Sequence, residues 1–181
     1  GGDRTSIELS ASQREYIAQL AQTGKPVVFV NLSGSAVAMA PEVENCDAIL
    51  QGWYGGQAGG EAVADVLFGD VNPSAKLTMS FPREVGQLPL YYNHKSTGRP
   101  HPDYADYKKF TSCYMDEINA PLYPFGYGLS YTTYEYSEPV LSSAEMSIDG
   151  KVTASVTVKN TGSRDGFETV QLYIHDIYAT S

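Results

Sequence analysis

The sequence predicts an α/β protein with a mostly parallel sheet flanked by helices, followed by the first strands of an incomplete β-sandwich. Two apolar runs, Pro26–Val30 and Ala48–Leu50, alternate with helical patterns, an order that is typical of a parallel sheet. After Tyr131, apolar and polar residues alternate between turn signals, which is typical of antiparallel strands. We therefore predict two domains, residues 1–130 and residues 131–181.

Composition limits the function classes. The chain has 181 residues and a formal net charge of −9 at pH 7. This charge argues against nucleic acid or an anionic membrane as a partner. No apolar run approaches the ~20 residues of a membrane span. The two cysteines, Cys46 and Cys113, leave both a disulfide and the redox compartment open.

The first predicted helix has a clear beginning and end. Ser10 and Gln13 have the spacing of a capping box, in which each side chain bonds the other residue's backbone N–H. Ile17 and Leu20 share one face of the helix that follows. Gly24 is a typical helix stop.

The next segments build the predicted sheet. Pro26–Val30 is β-branched and does not alternate, which predicts a strand buried on both faces. Residues 31–35 form the loop at its carboxyl end. Pro41–Glu44 predicts a short helix with Pro41 in first position.

A strand, a glycine loop and a helix occupy residues 45–70. Ala48–Leu50 predicts a buried strand, and Gly69 predicts the end of the helix. Four glycines between them allow a sharp turn or close approach by another backbone: Gly55, Gly56, Gly59 and Gly60. Because the carboxyl ends of parallel strands share one edge, the loops after Val30 and Leu50 should lie side by side, at the edge where ligands bind.

The rest of the chain is less regular. Leu77–Phe81 alternates and predicts a half-buried strand, whereas residues 82–123 predict a long loop that is functional or wraps a neighbour. Of 14 tyrosines, ten lie between Tyr91 and Tyr136, which predicts a solvent-facing or interface surface. Residues 152–158 and 170–174 predict further strands.

Five ordered segments carry a resemblance to a known family: Gly2–Arg4, Gly24–Val28, Trp53–Gly60, Ala64–Ser74 and Leu122–Thr132. They resemble the C-terminal half of glycoside hydrolase family 3, especially its β-glucosidase type. The resemblance implies a three-layer α/β sandwich over residues 1–130 and a truncated fibronectin type III-like domain over 131–181. It also implies a missing N-terminal (β/α)8-type barrel as the partner. The two ends of the chain look cut, so we expect a fragment of a longer protein.

The implied reaction is retaining hydrolysis of terminal β-linked sugars by an exo-acting enzyme, with a β-glucoside or oligosaccharide as substrate. Such chemistry uses two carboxylates about 5–5.5 Å apart. In the family the nucleophile is an Asp on the barrel, and the acid/base Glu aligns just upstream of Gly1. We therefore expect no catalytic residue in this chain, an inactive fragment, and neither a metal nor a cofactor. The family also implies a periplasmic or extracellular location.

Four residues are candidates for substrate or interface contacts. Asp3 and Arg4 either support the acid/base loop or form a solvated ion pair. Trp53 and Tyr54 either stack on a sugar or, as we prefer, pack against the barrel. The sequence departs from the family pattern at Ala75, where Gly is common, and at Cys113, where Arg is expected.

Two other classes of function were weighed. One is a non-catalytic carbohydrate-binding or structural accessory module, with the tyrosine-rich loop as its platform. The other is a phosphate- or nucleotide-binding domain. The glycine loop argues against the second class, because it has neither the dinucleotide fingerprint nor the Gly-Lys-Ser/Thr of a P-loop.

Overall fold

The computed structural model describes residues 5–95 and 98–176. These residues form two compact units, which we call the first and the second unit. The first unit comprises Gly1–Ala64, Lys76–Tyr127 and Gln171–Ser181, and the second comprises Asp65–Ala75 and Gly128–Val170. In the described part of the chain, none of the helices has the length and apolar character that a membrane crossing requires.

Helix α1 spans Ala11–Ala21 in the first unit, and its predicted capping box is confirmed. The Ser10 side chain accepts a hydrogen bond from the Gln13 N–H at 3.4 Å, and Gln13 Oε1 accepts one from the Ser10 N–H at 3.1 Å. Ile17 is buried, as its place on the predicted apolar face requires. Gly24 has a φ of +68°, which glycine adopts without strain, and turns the chain away from the helix.

The parallel pairing of the two predicted strands is also confirmed. Strand β1 spans Val28–Asn31 and strand β2 spans Ala48–Gln51, paired in parallel with Val28 opposite Ala48. The prediction that β1 is buried on both faces is wrong. Val28 is 48% exposed, because the described residues place only two strands in this sheet.

Helix α2 spans Ala40–Val43, so it begins one residue before the predicted Pro41. Its Glu42 is only 2% exposed, and Arg14 Nε lies 3.1 Å from the Glu42 Oε1 atom. The same guanidinium lies 3.5 Å from Glu8 Oε2, so Arg14 ties α1 to two other segments. Glu42 Oε2 has no hydrogen-bond partner among the described residues.

The core of the first unit centres on Phe81, which is 1% exposed and packs with Ala36 and Met39. The predicted strand Leu77–Phe81 is wrong, because only a single bridge forms there, from Phe81 to Tyr123. The two segments still bond at intervals: the Phe81 N–H donates to the Tyr123 carbonyl, and the Leu77 N–H to the Tyr127 carbonyl, both at 2.8 Å. A continuous ladder is prevented by Pro82 and Pro124, which have no N–H to donate.

The long loop after Phe81 is irregular, as predicted, apart from a 3₁₀ helix at Val85–Gln87. Gln87 is buried and organises the loop. Its amide N–H groups donate to the carbonyls of Ile118 and Ala120 at 3.0 and 3.1 Å, while its oxygen accepts from the Arg83 N–H at 2.6 Å. Four tyrosines of this loop are largely exposed in this chain, as the predicted solvent-facing or interface surface requires: Tyr91, Tyr92, Tyr104 and Tyr107.

Helix α3 spans Gly59–Phe68 and ends at Gly69, which has a φ of +85°. This confirms the predicted helix and its stop. None of the residues of α3 is buried. Only Gly59 and residues 63–66 are half-buried, so tertiary packing holds this helix less firmly than it holds most protein helices.

Short antiparallel strand pairs follow Tyr131 in the second unit. Strand β3 (Tyr134–Tyr136) pairs with β6 (Val158–Asn160), and β4 (Val140–Leu141) pairs with β5 (Ala154–Ser155). The predicted strand at 170–174 is wrong, because residues 170–174 form no strand in the structure. The apolar residues of this alternating pattern are all exposed, with Ile174 at 90%, so they do not form a buried face.

We predict that Tyr134→Phe leaves the stability unchanged or raises it by up to ~1 kcal/mol. The Tyr134 hydroxyl is buried and has no hydrogen-bond partner among the described residues. Burying a hydroxyl without a partner costs about 1–3 kcal/mol in proteins. Urea unfolding measures the change. Tyr136→Phe is the matched control, because the Tyr136 hydroxyl donates to Glu168 Oε1 at 2.8 Å. A clear loss of stability in Tyr134→Phe alone would contradict the prediction.

We also predict that Arg14→Met destabilises the protein by about 3–5 kcal/mol, because it leaves the Glu42 carboxylate buried without its charge partner. The double variant Arg14→Met, Glu42→Leu should regain most of that loss, since it removes both charges. Arg83→Met is the control, since its partner Glu117 is 3.9 Å away and its side chain is 29% exposed, against 3% for Glu42. Denaturant unfolding of the four proteins tests this, and a double variant as unstable as Arg14→Met would refute it.

Candidate functional site

A polar cluster lies at the carboxyl ends of β1 and β2. The Asn31 side chain is buried, and its amide donates to Gln51 Oε1 at 2.6 Å and to Ser33 Oγ at 3.0 Å. The Gln51 amide in turn lies 3.3 Å from Ser33 Oγ. The Gly52 N–H donates to the Asn31 carbonyl at 2.8 Å. The loops after the two strands therefore lie side by side, as the sequence predicted.

Trp53 follows directly and has an unusual backbone conformation. Its φ is +47°, which for a residue with a large side chain costs on the order of 1–3 kcal/mol. The indole packs against the core and meets the Phe81 ring edge-on, with ring centroids 5.9 Å apart. This packing holds the strained conformation at the edge of the sheet.

The next residue, Tyr54, lies out in solvent. Its side chain is 85% exposed and lies over Gly34, where any larger residue would collide with the phenol ring. Each of the two loops at this edge thus contributes a surface to the other. Tyr54 presents an aromatic face and a hydroxyl that few described residues cover.

Two of the four glycines are required by the turn itself. Gly56 has a φ of +63°, and a Cβ on Gly55 would lie 2.7 Å from the Gly59 Cα. A Cβ on Gly59 or Gly60 would meet no described atom within 4 Å. The start of α3 therefore presents bare backbone on its open side.

The chemistry available at this edge is limited. Amides, one serine hydroxyl and two aromatic rings can hydrogen-bond or stack, but the cluster contains no carboxylate, imidazole or thiol. It is therefore suited to binding or to positioning a neighbour rather than to acid–base catalysis. Asp3 and Arg4, the other two predicted site residues, lie outside the described residues.

Other reactive side chains lie elsewhere. Cys46 and Cys113 are both free thiols. Burial, and then the nearby Glu42 and Asp47 carboxylates, raise the pKa of the Cys46 thiol, which keeps it protonated and unreactive near neutral pH. His101 bonds within its own loop, with Nδ1 3.0 Å from Thr111 Oγ1. Among the described residues, no cluster of His, Cys, Asp or Glu could hold a metal ion.

Sequence reasoning found Trp53 and Tyr54 but missed Asn31, Ser33 and Gln51. The available signal was the change from apolar to polar residues at the end of each strand. Because the two strands pair in parallel with Asn31 opposite Gln51, the register alone brings these amides together. The pair of the buried Glu42 and the half-buried Arg14 left no signal, since both residue types are usually exposed.

Comparison with known proteins gives consistent matches. The family model described as the glycosyl hydrolase family 3 C-terminal domain matches residues 1–131. A periplasmic beta-glucosidase of Salmonella typhimurium is 54% identical over 178 residues, covering 98% of this chain and 23% of that protein. A xylan 1,4-beta-xylosidase of Xylanibacter ruminicola is 49% identical over 178 residues, covering 98% of this chain and 19% of that protein.

Solved structures agree with these relatives. The crystal structure of a beta-glucosidase from Listeria innocua in complex with isofagomine superposes with a TM-score of 0.82 at 38% identity. It covers 88% of this chain and 22% of that one. The chain thus spans about a fifth to a quarter of the length of the proteins it matches. On this evidence the chain belongs to glycoside hydrolase family 3, as a part of the family's C-terminal domain.

Proposed function

We propose that the chain is the C-terminal part of a retaining, exo-acting β-glycosidase of the β-glucosidase type, which hydrolyses terminal β-linked sugars. One observation carries the proposal. At the carboxyl edge of the sheet, the strained Trp53 and the exposed Tyr54 can position a neighbouring domain, yet this edge contains no acid or base. Retaining hydrolysis needs two carboxylates about 5–5.5 Å apart, so another part of the protein supplies them.

The proposed architecture follows the family. Residues 1–130 are the C-terminal part of a three-layer α/β sandwich, and residues 131–181 begin a fibronectin type III-like domain. An N-terminal barrel supplies the nucleophile, and Asp3 and Arg4 support the loop that carries the acid/base Glu. The relatives' greater length and the antiparallel strand pairs after Tyr131 support this division.

The loop from Trp53 to Gly60 is the proposed docking element for the barrel. Tyr54 is almost fully exposed, and a Cβ on Gly59 or Gly60 would meet open space, so a neighbouring domain can approach closely. Trp53 fixes this loop on the core through its contact with Phe81. A direct sugar contact by Tyr54 is the alternative role, and the variants below separate the two.

We further propose a periplasmic or extracellular location and a β-glucoside or oligosaccharide substrate. The name of the Salmonella typhimurium relative supports the first part of this proposal. The relatives named as β-glucosidases and β-xylosidases support the second.

A second candidate function is a non-catalytic carbohydrate-binding module. Tyr92 stacks on Phe125 with ring centroids 4.3 Å apart while remaining about half exposed. This pair offers the flat aromatic face on which a pyranose ring can stack. Binding of β-linked oligosaccharides by residues 1–181 alone would favour this function, whereas an absence of binding would favour the first.

We predict that residues 1–181 alone do not hydrolyse aryl β-glucoside or aryl β-xyloside, whereas the whole protein hydrolyses at least one of them. The reason is that the fragment holds neither of the proposed catalytic carboxylates. Release of the aryl alcohol is measured for both proteins against a mock preparation. Turnover by the fragment that is abolished by mutating one of its own acidic residues would overturn this prediction. An inactive whole protein would overturn the proposed function.

We also predict that Trp53→Ala and Tyr54→Ala each lower the kcat/KM of the whole protein by about 10- to 100-fold, because small misplacements of catalytic groups have effects of this size. Trp53→Ala also removes core packing, so the assay is run far below its measured unfolding temperature. Tyr54→Ala removes almost no buried contact and isolates the docking effect. Phe110→Ala, at another exposed aromatic residue, is the control.

The two roles of Tyr54 give different kinetic results. Lost docking lowers kcat for every substrate, because the geometry of the catalytic groups is disturbed. A lost sugar contact raises KM for oligosaccharides but leaves simple aryl glycosides unaffected. If Tyr54→Ala changes neither parameter, the loop is a surface turn and the proposed docking is wrong.

A further inference from the structure

The last turn of α3 is capped by residues that are distant in sequence. The Gly69 N–H closes the helix on the Val66 carbonyl at 3.1 Å, and the Tyr131 hydroxyl donates to the same carbonyl at 2.8 Å. The Arg164 guanidinium donates to the Gly69 carbonyl. These bonds satisfy carbonyls that a helix end leaves open, and the Arg164 charge also complements the helix dipole there.

The two capping side chains support each other. The Arg164 guanidinium lies over the Tyr131 ring, 5.4 Å from its centroid, in a cation–π arrangement. The Arg164 carbonyl accepts a hydrogen bond from the Asn160 side chain at 2.8 Å, which fixes the backbone that carries the guanidinium. The cap is therefore a fixed structure rather than a pair of mobile side chains.

Asn72 joins the segments that provide the cap. Its Oδ1 accepts from the Tyr131 N–H at 2.8 Å and from Ser130 Oγ at 3.0 Å, while its amide donates to the Asp165 carbonyl at 3.0 Å. A Cβ on Gly166 would lie 2.6 Å from the Asn72 amide nitrogen, so this position accepts only glycine without rearrangement. One side chain thus links residues 130–131 with residues 165–166.

The importance of the cap follows from what α3 lacks. None of its ten residues is buried, and only Gly59 and residues 63–66 are half-buried, so packing contributes little to fixing the helix. Such a short helix is marginal in water by itself. Its position then depends on its two ends, which are the cap at Gly69 and the glycine loop before Gly59.

We propose that Tyr131 and Arg164, organised by Asn72, are positioning residues that act on the glycine loop through α3. The helix begins within the loop, since the Gly59 N–H donates to the Gly56 carbonyl and the Ala62 N–H to the Ala58 carbonyl. A helix is stiff along its axis. Loss of the cap at the last turn of α3 therefore loosens the first turn of α3 and, with it, the glycine loop. This inference stands whether or not the protein is a glycosidase.

Trp53 provides a direct readout, because it is the single tryptophan of the chain. The test uses residues 1–181 with Arg164→Met, Tyr131→Phe, Lys159→Met and Tyr136→Phe. The last two are matched controls that change a cation or a hydroxyl of the second unit outside the cap. Acrylamide quenching of Trp53 and amide hydrogen exchange are measured on native protein, well below the unfolding temperature.

The expected result is that Arg164→Met and Tyr131→Phe increase the quenching of Trp53, whereas the two controls do not. Amide protection over residues 66–71 should fall about fivefold for each lost bond, because one net hydrogen bond corresponds to roughly that factor. Protection over residues 59–63 should fall with it. Arg164→Lys should recover part of both, since it keeps a cation at the helix end.

Three results would overturn the proposal. The first is a lower unfolding temperature in Arg164→Met with unchanged Trp53 quenching, which would make the cap a purely local stabiliser. The second is lost protection at residues 66–71 without any loss at residues 59–63. The third is an equal response in a control. If Arg164→Met fails to fold, Tyr131→Phe decides, because it deletes a single oxygen atom.

Discussion

The first unit depends on how Phe81 is fixed. Its ring is buried against Ala36, Met39 and Trp53. Its backbone forms hydrogen bonds with the backbone of Leu122 and Tyr123. One residue thus joins the start and the end of the long irregular loop to the sheet. Because burying a phenylalanine contributes about 1.5–3 kcal/mol, this contact can hold segments that have little regular structure of their own.

The sequence predicted those parts of the fold that local interactions decide. The capping box at Ser10 needs only neighbours in the chain, and the positive φ of Gly69 is a conformation that glycine adopts without strain; both formed as expected. The parallel pairing of β1 and β2 followed from the order of helices and strands. These features depend on local backbone preferences and on the order of helical and strand patterns, both of which can be inferred directly from the sequence.

The errors share one physical cause. Alternation in Leu77–Phe81 and in residues 170–174 predicts which side chains share a face, but it does not identify a partner strand. Pro82 directly follows the first of these segments and Pro124 lies in its partner, whereas the second has no ladder among the described residues. A strand exists only when a neighbour accepts its hydrogen bonds, so such errors cannot be avoided from one segment alone.

The candidate site was predictable in place but not in geometry. Its location followed from the parallel sheet, whereas the cluster of Asn31, Ser33 and Gln51 depends on the exact register. The positive φ of Trp53 is a still less local property. An aromatic residue avoids this region unless tertiary packing compensates, and here the packing of the indole against Phe81 and the core around it supplies that compensation.

At this edge, the free-energy cost of backbone strain is comparable to the free energy that covering the exposed aromatic side chain would contribute. Holding Trp53 at a φ of +47° costs on the order of 1–3 kcal/mol. Burying a large apolar side chain that was exposed to water contributes about 1.5–3 kcal/mol, which is a similar amount. Covering the exposed Tyr54 would therefore offset the strain at its neighbour. A loop built in this way is only moderately stable when uncovered and gains the most when a second surface meets it, which is the behaviour that a docking element requires.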